Sequence, residues 1–353
     1  MVGGAPATPD SAGVDRASLA LPPPPALPAS MILTVTRACN LRCAYCPTAK
    51  DGWPSLTVED ARAAVSLFAT RYVDAAQPGD VKLFGGEPLL VPEVVRAAIE
   101  AASGRPEIRR VYLSTNGLGL DAPWLDFLAG QPKVILTLSV DGRPEDHRGL
   151  RRALPGVADS YEHLLSLLPA LLRAPRLVIT QTIAPSTAAR AADNFSHLLE
   201  LGFRRFNLLP GYYLPWRPTQ LSALDDAFDA ISQRIRAEWA AGRPLYLRNL
   251  FTWAPTPFFN TGLVVDADRS IHPSNVGLSG QLDGLRGQTQ VGSLDAPPSR
   301  EALQAQAVQV EGLLRAALPE GVWASTQAAD AALTRLVRGL YPAWLQMKRD
   351  RSR

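Results

Sequence analysis

All three cysteines of this 353-residue chain, Cys39, Cys43 and Cys46, fall within the stretch CNLRCAYC. Thiolates at C-x3-C-x2-C spacing in one short loop are soft donors that can converge on a metal centre. The count of three leaves several readings. A structural zinc site would want a fourth protein ligand, and the four histidines, His147, His163, His197 and His272, are all distant in sequence. A disulfide would strand an odd thiol. An iron–sulfur cube usually takes four thiolates, so three would leave one iron open to a small molecule.

Other stretches carry groups suited to holding a polar molecule. In FGGEP, Gly85 and Gly86 permit close backbone approach, Glu87 offers a carboxylate to an ammonium group, and Pro88 follows. In STNG, Ser114 and Asn116 are small hydrogen-bonding groups. LSVDG followed by HRGLR supplies Ser139, Asp141, His147 and Arg151, although Asp141 and Arg151 could equally form a surface ion pair. Thr180 opens TQT, where a strand threonine can reflect β-propensity alone. FNLLPGYYLPW carries Asn207, Leu208, Tyr212, Tyr213 and Trp216, whose rings either wall a pocket or pack beneath a helix.

These groups need elements to position them. Residues 1–29 are rich in Ala and Pro and are expected to be disordered. From Met31 onward, short apolar runs alternate with amphipathic ones: MILTVT, VKLF, RRVYLST, KVILTLSV, RLVITQTI and RRFNLL read as strands, each followed by a helical stretch. Six right-handed βα units predict an α/β fold, an open partial (β/α)6 TIM-like barrel over residues 30–249, with a flat doubly wound sheet as the alternative. Chemistry in either sits at the carboxyl ends of the strands, and the cysteine loop follows the first strand there. Residues 250–353 read as a C-terminal extension of short β and loop pieces with helices over 300–318 and 326–348. A net charge of +3 without a large basic run gives no reason for a nucleic-acid partner. No apolar run has membrane-spanning length and no signal peptide is evident, so a cytoplasmic protein with reduced thiols is expected.

CNLRCAYC, as C-x3-C-x-aromatic-C, resembles the signature of the radical S-adenosylmethionine enzymes. FGGEP is similar to that family's GGE motif, and LSVDG with HRGLR resembles the sulfatase-maturase and SPASM-type peptide-modifying subfamily. The resemblance spans about residues 31–210. It implies that Cys39, Cys43 and Cys46 bind one 4Fe–4S cluster whose open iron chelates the methionine moiety of S-adenosylmethionine. One electron, from a flavodoxin or ferredoxin, would then release a 5′-deoxyadenosyl radical that abstracts hydrogen from a substrate. By the same resemblance Tyr45 lies against the adenine, Glu87 with Gly85, Gly86 and Pro88 holds the methionine amino group, and Ser139 and Arg151 support the cofactor. Ser114, Asn116, Thr180 and Leu208 border it. Tyr212, Tyr213 and Asp141 stand as catalytic candidates on the substrate side.

Beyond that span, LVVDADRSIHPSN looks like the entry to a SPASM or twitch domain, with Ser274 or Asn275 where an auxiliary-cluster cysteine would stand. No further cysteine exists, so no auxiliary cluster can be built from thiols and no cysteine can quench a substrate radical. The expected substrate is a peptide or protein side chain. The same chemistry on a small metabolite is the second reading, and a non-catalytic iron–sulfur or zinc module is the third. A closed polar pocket would favour the metabolite, an open groove the peptide.

Overall fold

The computed structural model describes residues 30–251, 261–282 and 284–351; the segment expected to be disordered, 1–29, lies outside the described residues. The first strand, β1 (Ser30–Thr36), leads into the cysteine loop, which contains a short strand β2 (Leu41–Cys43). The chain then alternates: α1 (Val58–Leu67), β3 (Gly79–Gly85), α2 (Pro92–Ser103), β4 (Ile108–Thr115), α3 (Ala122–Ala129) and β5 (Val134–Ser139). After α4 (Pro144–Leu150) and the short β6 (Arg151–Ala153) come α5 (Ser160–Arg173), β7 (Leu177–Ile183), α6 (Ala191–Glu200), β8 (Arg205–Pro210), α7 (Pro218–Ala240) and β9 (Tyr246–Leu247). The remainder holds the hairpin β10 (Thr261–Val265) and β11 (Ser270–Ser274), α8 (Gly284–Thr289), β12 (Gly292–Ser293), α9 (Arg300–Ala307), α10 (Val310–Ala317) and α11 (Glu320–Arg351).

Local chemistry accounts for these boundaries. Thr57 caps α1 and exchanges hydrogen bonds with Asp60 in a capping box. Pro92 starts α2 where its missing N–H is harmless, and Asp121 caps α3, which stops at Gly130. The helical stretch after the first strand ends its regular turns at Leu67 and finishes in a wider turn, Phe68–Tyr72. The helix expected over 300–318 is broken into α9 and α10.

The ten strands of the main sheet run in the order β12-β11-β10-β1-β3-β4-β5-β7-β8-β9. The six predicted strands, β1, β3, β4, β5, β7 and β8, are its parallel centre, and the sheet stays open at β9 and β12. Alternate side chains separate its faces. Met31, Leu33, Val81, Leu83, Val111, Leu113, Leu136, Ile179 and Phe206 are buried in one apolar core with the helices. Each such side chain contributes roughly 1.5–3 kcal/mol. The intervening positions form the inner face of a partial (β/α)6 barrel, and many of them are polar. The hairpin β10–β11 extends the same sheet, because β10 pairs parallel with β1. Among the described residues, no helix is long and apolar enough to cross a membrane.

Candidate active site

The cysteine loop leaves the C-terminal end of β1 and is held from below by the end of β3. Gly86 N–H donates to Thr36 O at 2.9 Å, and Glu87 N–H donates to Ala38 O at 2.8 Å. A Cβ on Gly85 would lie 1.9 Å from Thr36 O, and one on Gly86 would lie 2.2 Å from both Arg37 O and Ala38 O. The two glycines are therefore required by the close approach of the chain to its own cysteine loop. Within the loop, Leu41 N–H points at Cys39 Sγ at 3.4 Å, Lys50 Nζ donates to Cys46 Sγ at 3.2 Å, and Cys46 N–H donates to Cys43 O at 3.1 Å. The strand β2 pairs antiparallel with β6, which sets Cys43 opposite Arg151. Burial raises the Cys39 thiol above its usual pKa and pushes Cys43 up to about 11, with Arg151 opposing the second shift. Metal ligation by these thiols must release protons. Among the described residues, no group of three or more His, Cys, Asp or Glu side chains is arranged to hold a single metal ion.

Glu87 is buried beneath this loop. Its Oε1 accepts from Thr115 Oγ1 at 2.6 Å and Leu89 N–H at 3.0 Å, and its Oε2 accepts from Asn116 N–H at 2.7 Å. Burial raises its pKa, against these hydrogen bonds, which favour the carboxylate. Asn116 in turn donates through Nδ2 to Asn40 Oδ1 at 2.7 Å, next to Cys39. Pro88 is buried in the short helical turn Pro88–Leu90.

A second carboxylate organises the opposite rim. Asp141 is 1% exposed and receives four donors: Arg151 Nε at 2.9 Å, Arg151 Nη2 at 3.0 Å, Tyr45 Oη at 2.9 Å and Thr182 N–H at 3.0 Å. The Arg151 guanidinium lies 5.4 Å from the Tyr45 ring centre. Burial works most strongly against the Arg151 charge, but Asp141, Tyr45 and Cys43 together outweigh it and hold the pKa above its usual value. His147 completes the group: its Nδ1 accepts from Asp141 N–H at 3.3 Å, so Nε2 carries the proton and donates to Ser160 Oγ at 2.9 Å. Burial pushes His147 down to about 4.

The structure thus brings the cysteines, Gly85, Gly86, Glu87, Asn116, Tyr45, Asp141 and Arg151 to one end of the sheet. Ser114, Ser139 and Thr180 belong to the inner face by strand register, with Thr180 beside Asn207, whose Nδ2 is 3.4 Å from Thr180 Oγ1. Leu208 does not join them: its side chain is fully buried in the helix-side core, and its inward neighbours are Asn207 and Leu209. Tyr212 and Tyr213 pack against a separate apolar cluster of Val276, Leu282, Leu285, Val310, Leu314 and Trp323. Tyr212 Oη donates to Asp330 Oδ1 at 3.2 Å.

One participant had no signal in the sequence. Arg37, two residues before Cys39, is fully buried and forms a two-pronged ion pair with Asp266 of the β10–β11 turn. It also donates to Gly277 O at 3.2 Å and lies 3.5 Å from the Trp53 ring centre. Nothing local in LVVDADRSIHPSN announces its partner 229 residues away.

Residues 33–184 match the model of the Radical SAM superfamily. The chain is similar to the GTP 3′,8-cyclase of Chlorobaculum tepidum, at 35% identity over 156 residues, 42% of this chain and 42% of that protein. It is also similar to the sporulation killing factor maturation protein of Bacillus subtilis, at 27% identity over 167 residues, 47% of this chain and 38% of that protein. The matches span less than half the length of these curated relatives. Among solved structures, native anSMEcpe with bound AdoMet and Cp18Cys peptide matches with a TM-score of 0.66 at 17% identity, over 79% of this chain and 81% of that one. Streptococcus suis SuiB bound to precursor peptide SuiA matches with a TM-score of 0.58 at 11% identity, over 81% of this chain and 67% of that one. At these identities the structural likeness bears on the fold.

Proposed function

Since residues 33–184 form a radical SAM domain, whose cofactors are a 4Fe–4S cluster and S-adenosylmethionine, we propose that this chain is an enzyme that abstracts hydrogen from a substrate held on the inner face of its sheet. The observation that carries this reading is the convergence of three half-buried thiols with two hydrogen-bonded carboxylates, Glu87 and Asp141, at one end of the strands. The donor set fits the cofactors. Cys39, Cys43 and Cys46 would hold three irons, and no fourth cysteine exists to close the cluster. The hydroxyls of Thr34 and Thr137 are buried without a partner among the described residues, so the inner face has polar groups to offer a ligand. When bound, the cluster and S-adenosylmethionine supply a 5′-deoxyadenosyl radical.

The chain's own residues prepare for that chemistry. Gly85 and Gly86 let the end of β3 brace the cysteine loop. Glu87 locks the loops after β3 and β4 together. Asp141 has all four of its bonds committed, so it serves as a positioning residue that orients Arg151 and Tyr45 toward the cofactor. Ser114, Ser139 and Thr180 provide inner-face contacts. Tyr212 and Tyr213 belong with the C-terminal packing and are better read as a wall near the entrance than as catalytic groups.

Two substrates remain in view. The polar inner face supports a small molecule, as does the likeness to a GTP 3′,8-cyclase. The peptide-side-chain reading draws on the LSVDG and HRGLR motifs and on the likeness to a maturation protein. A flavodoxin- or ferredoxin-type reductant completes the proposal. Anaerobic reconstitution followed by assay for 5′-deoxyadenosine tests the shared chemistry; inability of the iron-loaded protein to form this nucleoside would exclude it.

A further inference from the structure

The lower part of the inner face collects positive charge. Lys82 on β3 lies beside Tyr112 on β4, and Arg205 on β8 lies beside Tyr246 on β9. All four belong to the positions that alternate with the helix-side core. Arg248, just after β9, reaches across to β4, where its guanidinium is 4.2 Å from the Tyr112 ring centre; Arg205 is 4.2 Å from that of Tyr246. Three cations therefore floor the open barrel, each half-buried. Asp80, two residues before Lys82 on β3, is already bound through both of its oxygens by Arg109, at 3.0 and 2.7 Å. Burial and then Arg248 lower the pKa of Lys82, with Asp80 opposing. Arg205 Nε is buried and has no partner among the described residues.

One tier higher on the same face stand the unpartnered hydroxyls of Thr34 and Thr137, which are 0% and 5% exposed. Their chain neighbours Leu33, Val35, Leu136 and Leu138 all pack in the helix-side core, so both threonines point inward. Two buried hydroxyls and a buried guanidinium nitrogen left without partners are costly unless a ligand or water meets them. From the Ile135 level of the floor to Ser139 at the rim is four residues of strand, about 13 Å.

Resting on the radical reading of the site above, we propose that this inner face is the substrate site and that it takes a small polyhydroxylated molecule ending in an oxyanion. The hydroxyls of Thr34, Thr137 and Ser114 and the amide of Asn207 meet the body of the molecule. Lys82, Arg205 and Arg248 meet the anion. The body is thereby held between the charged floor and the cysteine loop, in reach of a radical formed at the rim.

The test is titration calorimetry on anaerobically reconstituted full-length protein with S-adenosylmethionine present, using ribose 5-phosphate, gluconate and neutral ribose as probes. An anionic probe should bind roughly thirtyfold or more tighter than ribose, and Arg248→Gln and Lys82→Gln should each erase that preference. Tighter ribose 5-phosphate assigns a phosphate, and tighter gluconate a carboxylate. Equal affinity for neutral and anionic probes, or an undiminished preference in the variants, overturns the proposal. Should Lys82→Gln fail to fold, Arg205→Gln replaces it in the comparison. Formation of 5′-deoxyadenosine by the unaltered protein is measured alongside, so that failure of the radical reading is seen separately from failure of the anion site.

Discussion

Glu87 and Asp141 are both carboxylates at strand ends, and both spend their bonding on the protein itself. Glu87 takes Thr115 and Leu89 on one oxygen and Asn116 on the other. A glutamine can offer an acceptor to only one of these sides, because its amide nitrogen would face an N–H or hydroxyl donor on the other. Glu87→Gln should therefore destabilise the protein by about 1–3 kcal/mol in urea denaturation. Through Asn116 and Asn40 the disturbance reaches Cys39, so S-adenosylmethionine affinity should fall as well. Unchanged stability in this variant would show that the carboxylate is free for a ligand, as its motif alone would imply.

At the scale of elements, the β10–β11 hairpin carries a pH-sensitive residue. His272 on β11 is 3% exposed and bonded to Ser270 Oγ at 2.8 Å and Thr289 Oγ1 at 3.1 Å. Burial pushes its pKa down to about 4; Asp266 and Asp268 pull it up, while Arg286 and Arg37 push it down. The folded chain keeps this histidine neutral where the unfolded chain already binds a proton. Stability present above about pH 6.5 is thus lost as the pH falls toward 4, by roughly 3 kcal/mol for this one group. His272→Gln should flatten the fall of the urea midpoint between pH 7 and 4.5; an identical slope in the variant would refute the assignment. The elements themselves were largely legible in the sequence. Apolar runs such as MILTVT and KVILTLSV, alternating with amphipathic ones, gave the six parallel strands and the helices between them. The pairing of β10 with β1 and of β2 with β6 was not legible, because such pairings join distant segments and leave no local period. Leu208 was misjudged for a related reason: register, set by neighbouring strands, decides which face a side chain takes.

For the whole molecule, Arg37 and Asp266 tie the cysteine loop to the C-terminal segment across a fully buried contact. Removing one partner leaves a charge buried without compensation, so Asp266→Ala should cost about 3–5 kcal/mol. It should also reduce the iron retained after gel filtration, since Arg37 stands two residues from Cys39. A variant of normal stability and iron content would mean that the hairpin merely rests on the loop. The three thiols and their neighbours were visible in the sequence because they lie within a few residues of one another. The clamp that holds them was not, because its two halves are 229 residues apart. The central claim is that this assembly performs radical chemistry, and one measurement tests it most directly. Anaerobically reconstituted protein is assayed for iron, then given dithionite and S-adenosylmethionine. About four irons per chain and release of 5′-deoxyadenosine are predicted. Zinc in place of iron, or an iron-loaded protein that forms no 5′-deoxyadenosine, would contradict the account.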